Sequence, residues 1–560
     1  MFKRKRSLFL LAIVFRFILL PIGLLVFLYY YLQFDPPEIK DFSVLKLERD
    51  TISENHYSIG NNWIRKNSYG LWEMYIEGDA FERGVIQGKL SKELVCLQED
   101  AFVGQIDALI PSRTYQRFLQ LFIAWFNRDL NQYVPEEYLK EIYGVSFSAS
   151  DEYSHIGPKY LRILNYHAAH DIGHALKDLN LVACTSFAVW NGKSSDSTLL
   201  VGRNFDMYLG QDFAKDKIVA FINPTKGYRF AHITWGGMVG AVSGINEKGL
   251  TVTINAGRSD VPTGVKTPVS LVVREVLQYA ENIEEAYQII EKRELFVSES
   301  FLVSSVADNK AVVIERSPEK MGLYEVDTNF IVCSNHFQSA VFANDSLSKK
   351  AAEEGSSLSR YKRLNQLLNK YSSLTVQNAI DILRDRNGLD DQELGLGSER
   401  AMNQLLGHHS IVFKPEKGMF WISTKPWQLG PYVAYDLQRV FSGNFVVPYI
   451  DSLIIKHDPF EGSQAYKNYK KYLFQKEAIQ RSLWFESTDT ISNTYIDAFV
   501  KTNILNPVVY VLSGDVYEQK GNHKAAVEYY SRSLNYTMGT ARERKEVNNK
   551  IRAIEKQLMN

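Results

Sequence analysis

The sequence predicts an α+β fold, in which stacked antiparallel sheets are covered by helices, with a membrane helix before this domain and a helical extension after it. Three observations predict it. The apolar pattern is helical up to about residue 181, alternates with a period of two from residue 184, and is helical again after about residue 455. Runs of strands followed by runs of helices are typical of a layered α+β domain.

The composition indicates a globular protein with more than one domain. The 560 residues are too many for one ordinary domain, and 45% of them are hydrophobic, which is ample for a large core. Basic and acidic residues balance at 64 each. This balance gives no hint of a nucleic-acid partner, and none is expected.

The first predicted element is a membrane anchor within residues 1–40. A basic cluster at 3–6 precedes an apolar run at 8–32, which only Arg16 and Pro21 interrupt. About 20 apolar residues span a bilayer and basic flanks stay cytoplasmic, so the catalytic part is expected on the periplasmic or outer face. The run ends in tyrosines rather than in the small residues of a cleavage site, so we expect the anchor to remain uncleaved.

Residues 41–183 are predicted to form a helical region that resembles a pro-segment. A polar connector up to about residue 66 leads to "GDAFERGVIQGKL" at 78–90, where the helical pattern begins. His167, His170 and His174 share one helix face, as metal ligands could. The carboxylate of an H-E-x-x-H pattern is missing, so a polar helix face is the alternative, and no metal or cofactor is expected.

Residues 184–455 are predicted to form the catalytic core. The runs "TSFAVW", "TLLVGRNFD", "KIVAFIN", "FAHITW" and "GLTVTINAG" predict strands that are joined by Gly, Asn, Asp and Ser turns. Two helices are predicted over about 268–280 and 283–293. Later hairpins are expected to turn at 308–309 and at 416–418.

Residues 456–560 are predicted to form a helical extension. Small and aromatic residues fall near the positions of one tetratricopeptide helix pair, namely Tyr510, Gly514, Tyr517, Ala526 and Tyr530. Stable arrays usually need about three such repeats. We therefore expect a small extension that docks on the catalytic core or binds a protein partner.

The three cysteines, Cys96, Cys184 and Cys333, lack the Cys-x-x-Cys spacing of a zinc ribbon, and an odd number leaves at least one thiol free. A thiol attacks a carbonyl well when a positive field lowers its pKa and a base takes its proton. Arg203 could supply that field. If the chain were cut before Cys184, the new α-amine, with a pKa of about 8, would lie beside the sulfur, and Asp206 could orient it. The alternative is a buried core cysteine.

The motifs "CTSF", "GRNFD", "GINEKGLTVTINAG", "CSNHF" and "SSLSRY" occur in this order on predicted strands or strand ends. Together they resemble the cysteine N-terminal-nucleophile (Ntn) hydrolases over about residues 78–436. This group includes choloylglycine hydrolase and penicillin V acylase, and the closer resemblance is to the acyl-CoA:6-aminopenicillanic acid acyltransferase-like enzymes, also called peptidase family C45. The resemblance implies an αββα sandwich and activation by autoproteolysis.

The resemblance also implies roles for six residues. Cys184 would be the nucleophile and its freed amine the base, with Arg203 and Asp206 positioning both. Asn255 would be an oxyanion-hole donor, and Asn335 would hold the amine or the substrate. Arg360 would be the distal arginine of the hydrogen-bond network. Ala183 stands where a glycine is more familiar in this family, which leaves the efficiency of cleavage open.

The expected function is therefore that of a membrane-anchored, autoproteolytically activated hydrolase, which cleaves a linear amide through a thioester acyl-enzyme. Three alternatives remain open: an acyltransferase that uses the same site with an amine acceptor, a metal hydrolase, and a non-catalytic scaffold. The expected partner is a small N-acyl amide, and the predicted anchor motivates the hypothesis that this amide is lipidic.

Overall fold

The computed structural model describes residues 35–109, 127–175, 183–207, 213–260, 264–443 and 447–559, together with residues 112, 115–117, 119, 120 and 123. The predicted anchor lies outside these residues. Within the described ranges, none of the helices combines the length and the hydropathy that a bilayer crossing needs.

The described strands form two sheets. The larger sheet has the spatial order β1 (Asp50–Ser53), β2 (His56–Ile59), β3 (Asn62–Lys66), β4 (Trp72–Gly78), β7 (Ile218–Pro224), β8 (Phe230–Thr234), β9 (Ser243–Asn246), β10 (Leu250–Ala256), β11 (Glu299–Ser305), β12 (Lys310–Arg316) and β13 (Met321–Tyr324). The smaller sheet has the order β14 (Phe330–Cys333), β5 (Thr185–Asn191), β6 (Ser197–Phe205), β15 (His409–Lys414), β16 (Met419–Ser423) and β17 (Tyr432–Asp436).

The described α-helices are, in chain order, α1 (Ala80–Leu90), α2 (Lys92–Leu109), α3 (Leu130–Tyr133), α4 (Glu136–Ser146), α5 (Lys159–Ala175), α6 (Val269–Tyr279), α7 (Ile283–Lys292), α8 (Ser346–Glu354), α9 (Ser357–Lys370), α10 (Val376–Leu383), α11 (Leu437–Phe441), α12 (Gln464–Trp484), α13 (Asn493–Thr502), α14 (Val508–Gln519), α15 (His523–Ser533) and α16 (Ala541–Met559).

The two sheets pack face to face between two layers of helices. Side chains from both sheets, among them Phe221 and Phe413, form the core between them. The outer face of the larger sheet packs against α1, α4, α6 and α7, and that of the smaller sheet against α9 and α10. Burying one face of each helix and both faces of each sheet stabilises such a layered domain. The structure thus confirms the α+β sandwich that the sequence predicts.

The prediction of a purely helical region over 41–183 is incomplete, because β1–β4 occupy its first part. Alternate residues such as Ile64, Met74 and Ile76 are buried, but polar turns keep these strands short, and the sequence therefore indicates a connector. Strand β4 pairs with β7 in parallel, whereas the other pairings between the described strands are antiparallel. A parallel pair needs a long crossover, which the helices after β4 provide.

The predicted hairpins and helices of the core agree closely with the structure. Strands β9 and β10 are joined at Gly249, which has φ +76°, and β15 and β16 are joined at Gly418, which has φ +60°. Asn309 takes a positive φ between β11 and β12. Such left-handed backbone conformations favour glycine and asparagine, which is why these turns are visible in the sequence.

Helices α12–α16 build a separate core after the catalytic domain. A Cβ at Gly514 would lie 2.5 Å from the Tyr530 ring, so α14 and α15 approach each other too closely for a larger residue. The rings of Tyr466 and Tyr469 pack on Trp427 of the catalytic domain. The extension therefore contacts the catalytic core directly.

Candidate active site

Cys184 lies directly before β5 and is fully buried. The neighbouring strand β6 carries Arg203 opposite Ser186, so the guanidinium reaches the thiol, with 3.8 Å between Nη2 and Sγ. Arg203 also donates to the main-chain oxygens of Val242, at 2.7 Å, and Ile254. These carbonyls fix the guanidinium, so its charge lies beside the sulfur without side-chain rearrangement.

In the uncut chain the thiol is a weak acid. Burial raises the pKa of Cys184 to about 11, and the positive charge of Arg203 only partly opposes this effect. The thiol is therefore protonated at neutral pH, and a nearby base is needed for it to act as a nucleophile.

Asp206 follows directly after β6 and is fully buried. Its Oδ1 accepts a hydrogen bond from Nε2 of Gln428 at 3.3 Å, while Oδ2 has no hydrogen-bond partner among the described residues. Burial raises the pKa of this carboxyl to about 7, against the opposing effect of Arg360. The main-chain oxygen of Asp206 accepts from Ala183 N at 2.9 Å. The main chain of Asp206 thus lies beside Ala183, and its carboxyl group has one oxygen available to a new donor.

Arg360 and Asn335 hold the other side of the nucleophile. Arg360, in the first turn of α9, donates through Nη1 to the Cys184 carbonyl and to Thr185 Oγ1, both at 2.6 Å. Its Nη2 donates to Asn335 Oδ1 at 2.8 Å. Asn335 in turn donates through Nδ2 to the carbonyl of Ala256 at 2.9 Å. The distal arginine therefore ties the start of β5 to the end of β10.

Asn255, on β10, reaches the site through its neighbours. Its Oδ1 accepts from Ser186 Oγ at 3.1 Å, and its Nδ2 donates to the carbonyl of Cys333 at 3.2 Å. An amide NH₂ carries two hydrogens, so one donor remains in addition to this bond. Hydrogen bonds thus link four of the sequence-predicted residues directly, namely Cys184, Arg203, Asn335 and Arg360. The other two join them through neighbouring residues, Asp206 through Ala183 and Asn255 through Ser186 and Cys333.

Several buried polar residues of the cluster carry no sequence motif. Ser243 Oγ accepts from Arg203 and lies 2.9 Å from His409 Nε2, and the Nδ1 atoms of His409 and His408 lie 2.9 Å apart. Burial lowers the pKa of both imidazoles well below the ordinary value, so they are neutral. The positions of Ser243, His409 and Gln428 follow from strand pairing and loop packing, which no local pattern reveals.

The histidine face near the end of α5 gives the metal hypothesis no support at His167. Its Nδ1 lies 2.8 Å from the Ile163 carbonyl, and its Nε2 accepts from Val239 N at 2.8 Å, so both nitrogens are engaged. Burial lowers its pKa to about 4. The side chains of His170 and His174 lie outside the described residues. Within the part of the chain that is described, no group of three or more His, Cys, Asp or Glu side chains could hold an ion.

An apolar cleft of about 30 Å³ lies in the same hydrophobic cluster as Cys184. Its lining includes Met207, the residue after Asp206, and side chains from α2 and α5 on the opposite side. The apolar lining residues include Val95, Phe102, Ile163, Met207, Phe213 and Trp235. A volume of about 30 Å³ is about that of one water molecule, so the cleft as it stands is too small for an acyl chain.

Part of the chain is similar to known proteins. The family model for acyl-coenzyme A:6-aminopenicillanic acid acyl-transferase matches residues 190–424. An uncharacterised protein of Archaeoglobus fulgidus is 25% identical over 356 residues, 56% of this chain and 58% of that protein. An N-acylethanolamine-hydrolyzing acid amidase of Caenorhabditis elegans is 25% identical over 209 residues, 36% of this chain and 56% of that protein. The chain spans about half the length of the curated relatives it matches.

Two solved structures are also similar. The Caenorhabditis elegans amidase ortholog aligns with a TM-score of 0.32 and 19% identity, covering 41% of this chain and 93% of that structure. A conjugated bile acid hydrolase from Clostridium perfringens aligns with a TM-score of 0.32 and 15% identity, covering 46% of this chain and 93% of that structure.

Proposed function

We propose that this chain, which carries a domain of the acyl-coenzyme A:6-aminopenicillanic acid acyl-transferase family and is thereby an Ntn-type C–N hydrolase or acyltransferase, hydrolyses a linear N-acyl amide through Cys184. The observation that carries the proposal is the contact between the Arg203 guanidinium and the Cys184 sulfur. Asp206 with its available oxygen and Arg360 on the Cys184 carbonyl support the same assignment.

The proposed turnover begins with the free α-amine of Cys184, which takes the thiol proton while Asp206 Oδ2 accepts a hydrogen bond from it. Sulfur attacks the amide carbonyl of the substrate, and the remaining amide hydrogen of Asn255 stabilises the oxyanion. One such donor contributes about 3 kcal/mol in comparable sites. The protonated amine then delivers its proton to the leaving nitrogen, and water hydrolyses the thioester. An amine acceptor in place of water would make the same site a transferase.

Self-activation is part of the proposal. Before cleavage of the bond between Ala183 and Cys184, Cys184 is fully buried. Cleavage of that bond would create the α-amine that serves as the base. Intact mass and amino-terminal sequencing of the purified protein test this step, because an active enzyme that remains uncut would rule out the freed amine as the base.

The decisive test of the activity uses matched cysteine variants. Purified full-length protein is assayed against a panel of N-acyl amino acids and N-acylethanolamines with short and long acyl chains. Cys184→Ala should lose turnover, whereas Cys96→Ser should keep it, because Cys96 is only half-buried and lies on α2 outside the cluster. An active Cys184→Ala protein would refute the assignment. Activity that is lost only on treatment with a chelator would favour the metal hydrolase instead.

The acyl group is proposed to be apolar. One curated relative is an N-acylethanolamine-hydrolyzing acid amidase, and the side chains of Met207, Phe213 and Trp235 belong to the same buried hydrophobic cluster as Cys184. Turnover confined to soluble, non-lipidic amides in the same panel would contradict a lipidic substrate.

We further propose that the catalytic domain lies outside the membrane and that the helical extension contains one repeat-like helix pair. The apolar run at 8–32 would anchor the chain with the catalytic domain outside, so protease added to intact spheroplasts should digest this domain or shift its size. Complete protection until lysis would reverse the orientation.

The pair α14 and α15 would be a single tetratricopeptide-like unit. If the protein were a scaffold, deleting the extension would abolish complex formation, and thiol alkylation would leave that complex intact.

A further inference from the structure

The carbonyl of Ala183, which the Cys184 thiol must attack for self-cleavage, has a side-chain hydrogen-bond donor. Gln404 Nε2 donates to this oxygen at 3.1 Å, and Gln404 is 1% exposed. On the other side of Ala183, its N–H donates to the Asp206 carbonyl at 2.9 Å. Both polar groups of this residue are therefore held in place before any cleavage occurs.

We propose that Gln404 is the oxyanion donor of self-cleavage. The inference rests on the proposed function, because it assigns a residue to the activation step of that site. It goes beyond the roles of the six motif residues, since Gln404 belongs to none of their motifs and lies 221 positions from Ala183 in the sequence.

The step balances as an N-to-S acyl shift that is followed by hydrolysis. As the thiol proton passes to Asp206 Oδ2, which has no hydrogen-bond partner among the described residues, sulfur of Cys184 attacks the Ala183 carbonyl carbon. The carbonyl oxygen becomes an alkoxide, whose charge strengthens the hydrogen bond from Gln404. When the intermediate collapses, the bond from carbon to the Cys184 nitrogen breaks and the nitrogen receives the proton that the thiol gave up. Water then cleaves the thioester, which leaves a carboxylate on Ala183 and a free thiol and amine on Cys184.

The loop that carries Gln404 is fixed on its catalytic side. Asn204 Nδ2, on β6, donates to the carbonyl of Met402 at 2.8 Å, and Asn403 N donates to the carbonyl of Asp385 at 2.8 Å. A Cβ at Gly407 would lie 2.5 Å from Asp206 Oδ1, so this loop passes directly against the catalytic carboxyl.

The helical extension supports the same loop from the other side. Leu405 is buried in the core of the extension, and Tyr469 of α12 contacts its carbonyl, with 3.5 Å between the hydroxyl and the oxygen. Leu405 takes φ +55°, a conformation that is costly for leucine and persists only when the surroundings hold it. The packing of the extension therefore helps to keep the Gln404 amide on the Ala183 carbonyl.

The experiment follows the cleavage of the full chain by intact mass over time after synthesis. Gln404→Met keeps the side-chain length without a donor, and Gln404→Glu keeps the shape while its ionised form cannot donate. Both should slow cleavage by about a hundredfold to a thousandfold, as expected for the loss of one oxyanion donor. Gln404→Asn retains an amide that is one methylene shorter and should cleave faster than either.

The matched control is Gln392→Met, because Gln392 is an exposed glutamine of the same connecting segment, and it donates to Thr537 rather than to the cleavage site. It should cleave like wild type. Thermal unfolding of each variant in the Cys184→Ala background separates slow cleavage from misfolding. If Gln404→Met does not fold, the comparison of Gln404→Glu with Gln404→Asn decides.

Failure of self-activation and failure of the Gln404 role give different results. Wild type that stays uncut yet active would overturn the self-activation in the proposed function, and the role of Gln404 with it. Wild type that is cut while the folded Gln404→Met and Gln404→Glu proteins are cut equally fast would overturn the Gln404 inference alone. Slow cleavage in both variants with normal cleavage in Gln392→Met is the result that supports it.

Discussion

Replacing Asp206 by Asn in the uncut Cys184→Ala chain should stabilise the protein at high pH and destabilise it at low pH. Burial raises the pKa of this carboxyl from about 3.8 to about 7, so the folded protein holds the proton more tightly than the unfolded chain does. The contribution of Asp206 to the free energy of unfolding is therefore highest below pH 4, falls as the pH rises towards 7, and is constant above that value. The full loss corresponds to about 4 kcal/mol.

The asparagine has a cost of its own. Its Oδ1 can still accept from Gln428, but its NH₂ would occupy the place of Oδ2, which has no partner among the described residues. A buried donor without a partner costs about 1–3 kcal/mol. At pH 4.5 about 1 kcal/mol of the contribution of Asp206 is already lost, so the substitution should lower the free energy of unfolding by about 0–2 kcal/mol there and raise it by about 1–3 kcal/mol at pH 8.5.

Urea unfolding, followed by tryptophan fluorescence at fixed ionic strength, measures both values. The sign change between the two pH values is the diagnostic result, because a packing defect would lower the urea midpoint equally at both. An equal loss at pH 4.5 and 8.5 would refute the reasoning that a buried, ionisable carboxyl lies at this position.

The same substitution in a self-cleaved chain should behave in the opposite way at pH 8.5. A free α-amine of Cys184 beside Asp206 would be a cation paired with the carboxylate, which lowers the pKa of Asp206 and removes the penalty of its ionisation. Asp206→Asn in the cleaved protein is then expected to destabilise it and to depress turnover. A gain in stability as large as that of the uncut chain would show that the amine does not pair with Asp206.

Three further results are expected. Arg203→Lys keeps a charge but cannot bind the Val242 and Ile254 carbonyls while reaching the sulfur, so kcat/KM should fall at least about a hundredfold in a steady-state assay, and near wild-type kinetics would contradict this role. Gly407→Ala, whose Cβ would lie 2.4 Å from Gln428 Nε2, should lower stability by about 1–3 kcal/mol in urea, whereas Gly462→Ala, with nothing within 4 Å, should not. The rate of alkylation of Cys184 in uncut protein, measured by peptide mass, should increase by up to about tenfold for each pH unit towards the thiol pKa of about 11. Fast labelling at pH 7 would contradict a protonated thiol.

The strands of the catalytic core could be predicted because each carries a local signal. Alternating apolar residues and turns at Gly249, Gly418 and Asn309 define β9–β12, β15 and β16 nearly as the structure has them. The β1–β4 region has the same alternation, but its strands are short and its turns polar. Strand β4 joins these strands to the larger sheet by pairing with β7, more than 140 positions away, and no local pattern contains that information.

The candidate site divides in the same way. Arg203 and Asp206 share a motif close to Cys184, so their chemistry was visible in the sequence. Gln404 contacts the Ala183 carbonyl and Gln428 contacts the Asp206 carboxyl, each from a segment more than 220 positions away in the sequence. Glutamine is a common surface residue, and only its complete burial beside a scissile carbonyl or a catalytic carboxyl distinguishes it here.

The position of Cys184 just before β5, rather than inside it, makes cleavage there compatible with a stable product. The first ladder pair of β5 joins Thr185 to Asn204, so a cut before Cys184 removes no pair of the sheet. It loosens one main-chain hydrogen bond, from Ala183 to Asp206, worth about 0.5–1.5 kcal/mol. The two pieces would remain joined through the seven residue pairs of β4 with β7 and through the core that α1 and α4 share with the larger sheet. A nucleophile placed at this junction can therefore become a chain end without loss of the fold that positions it.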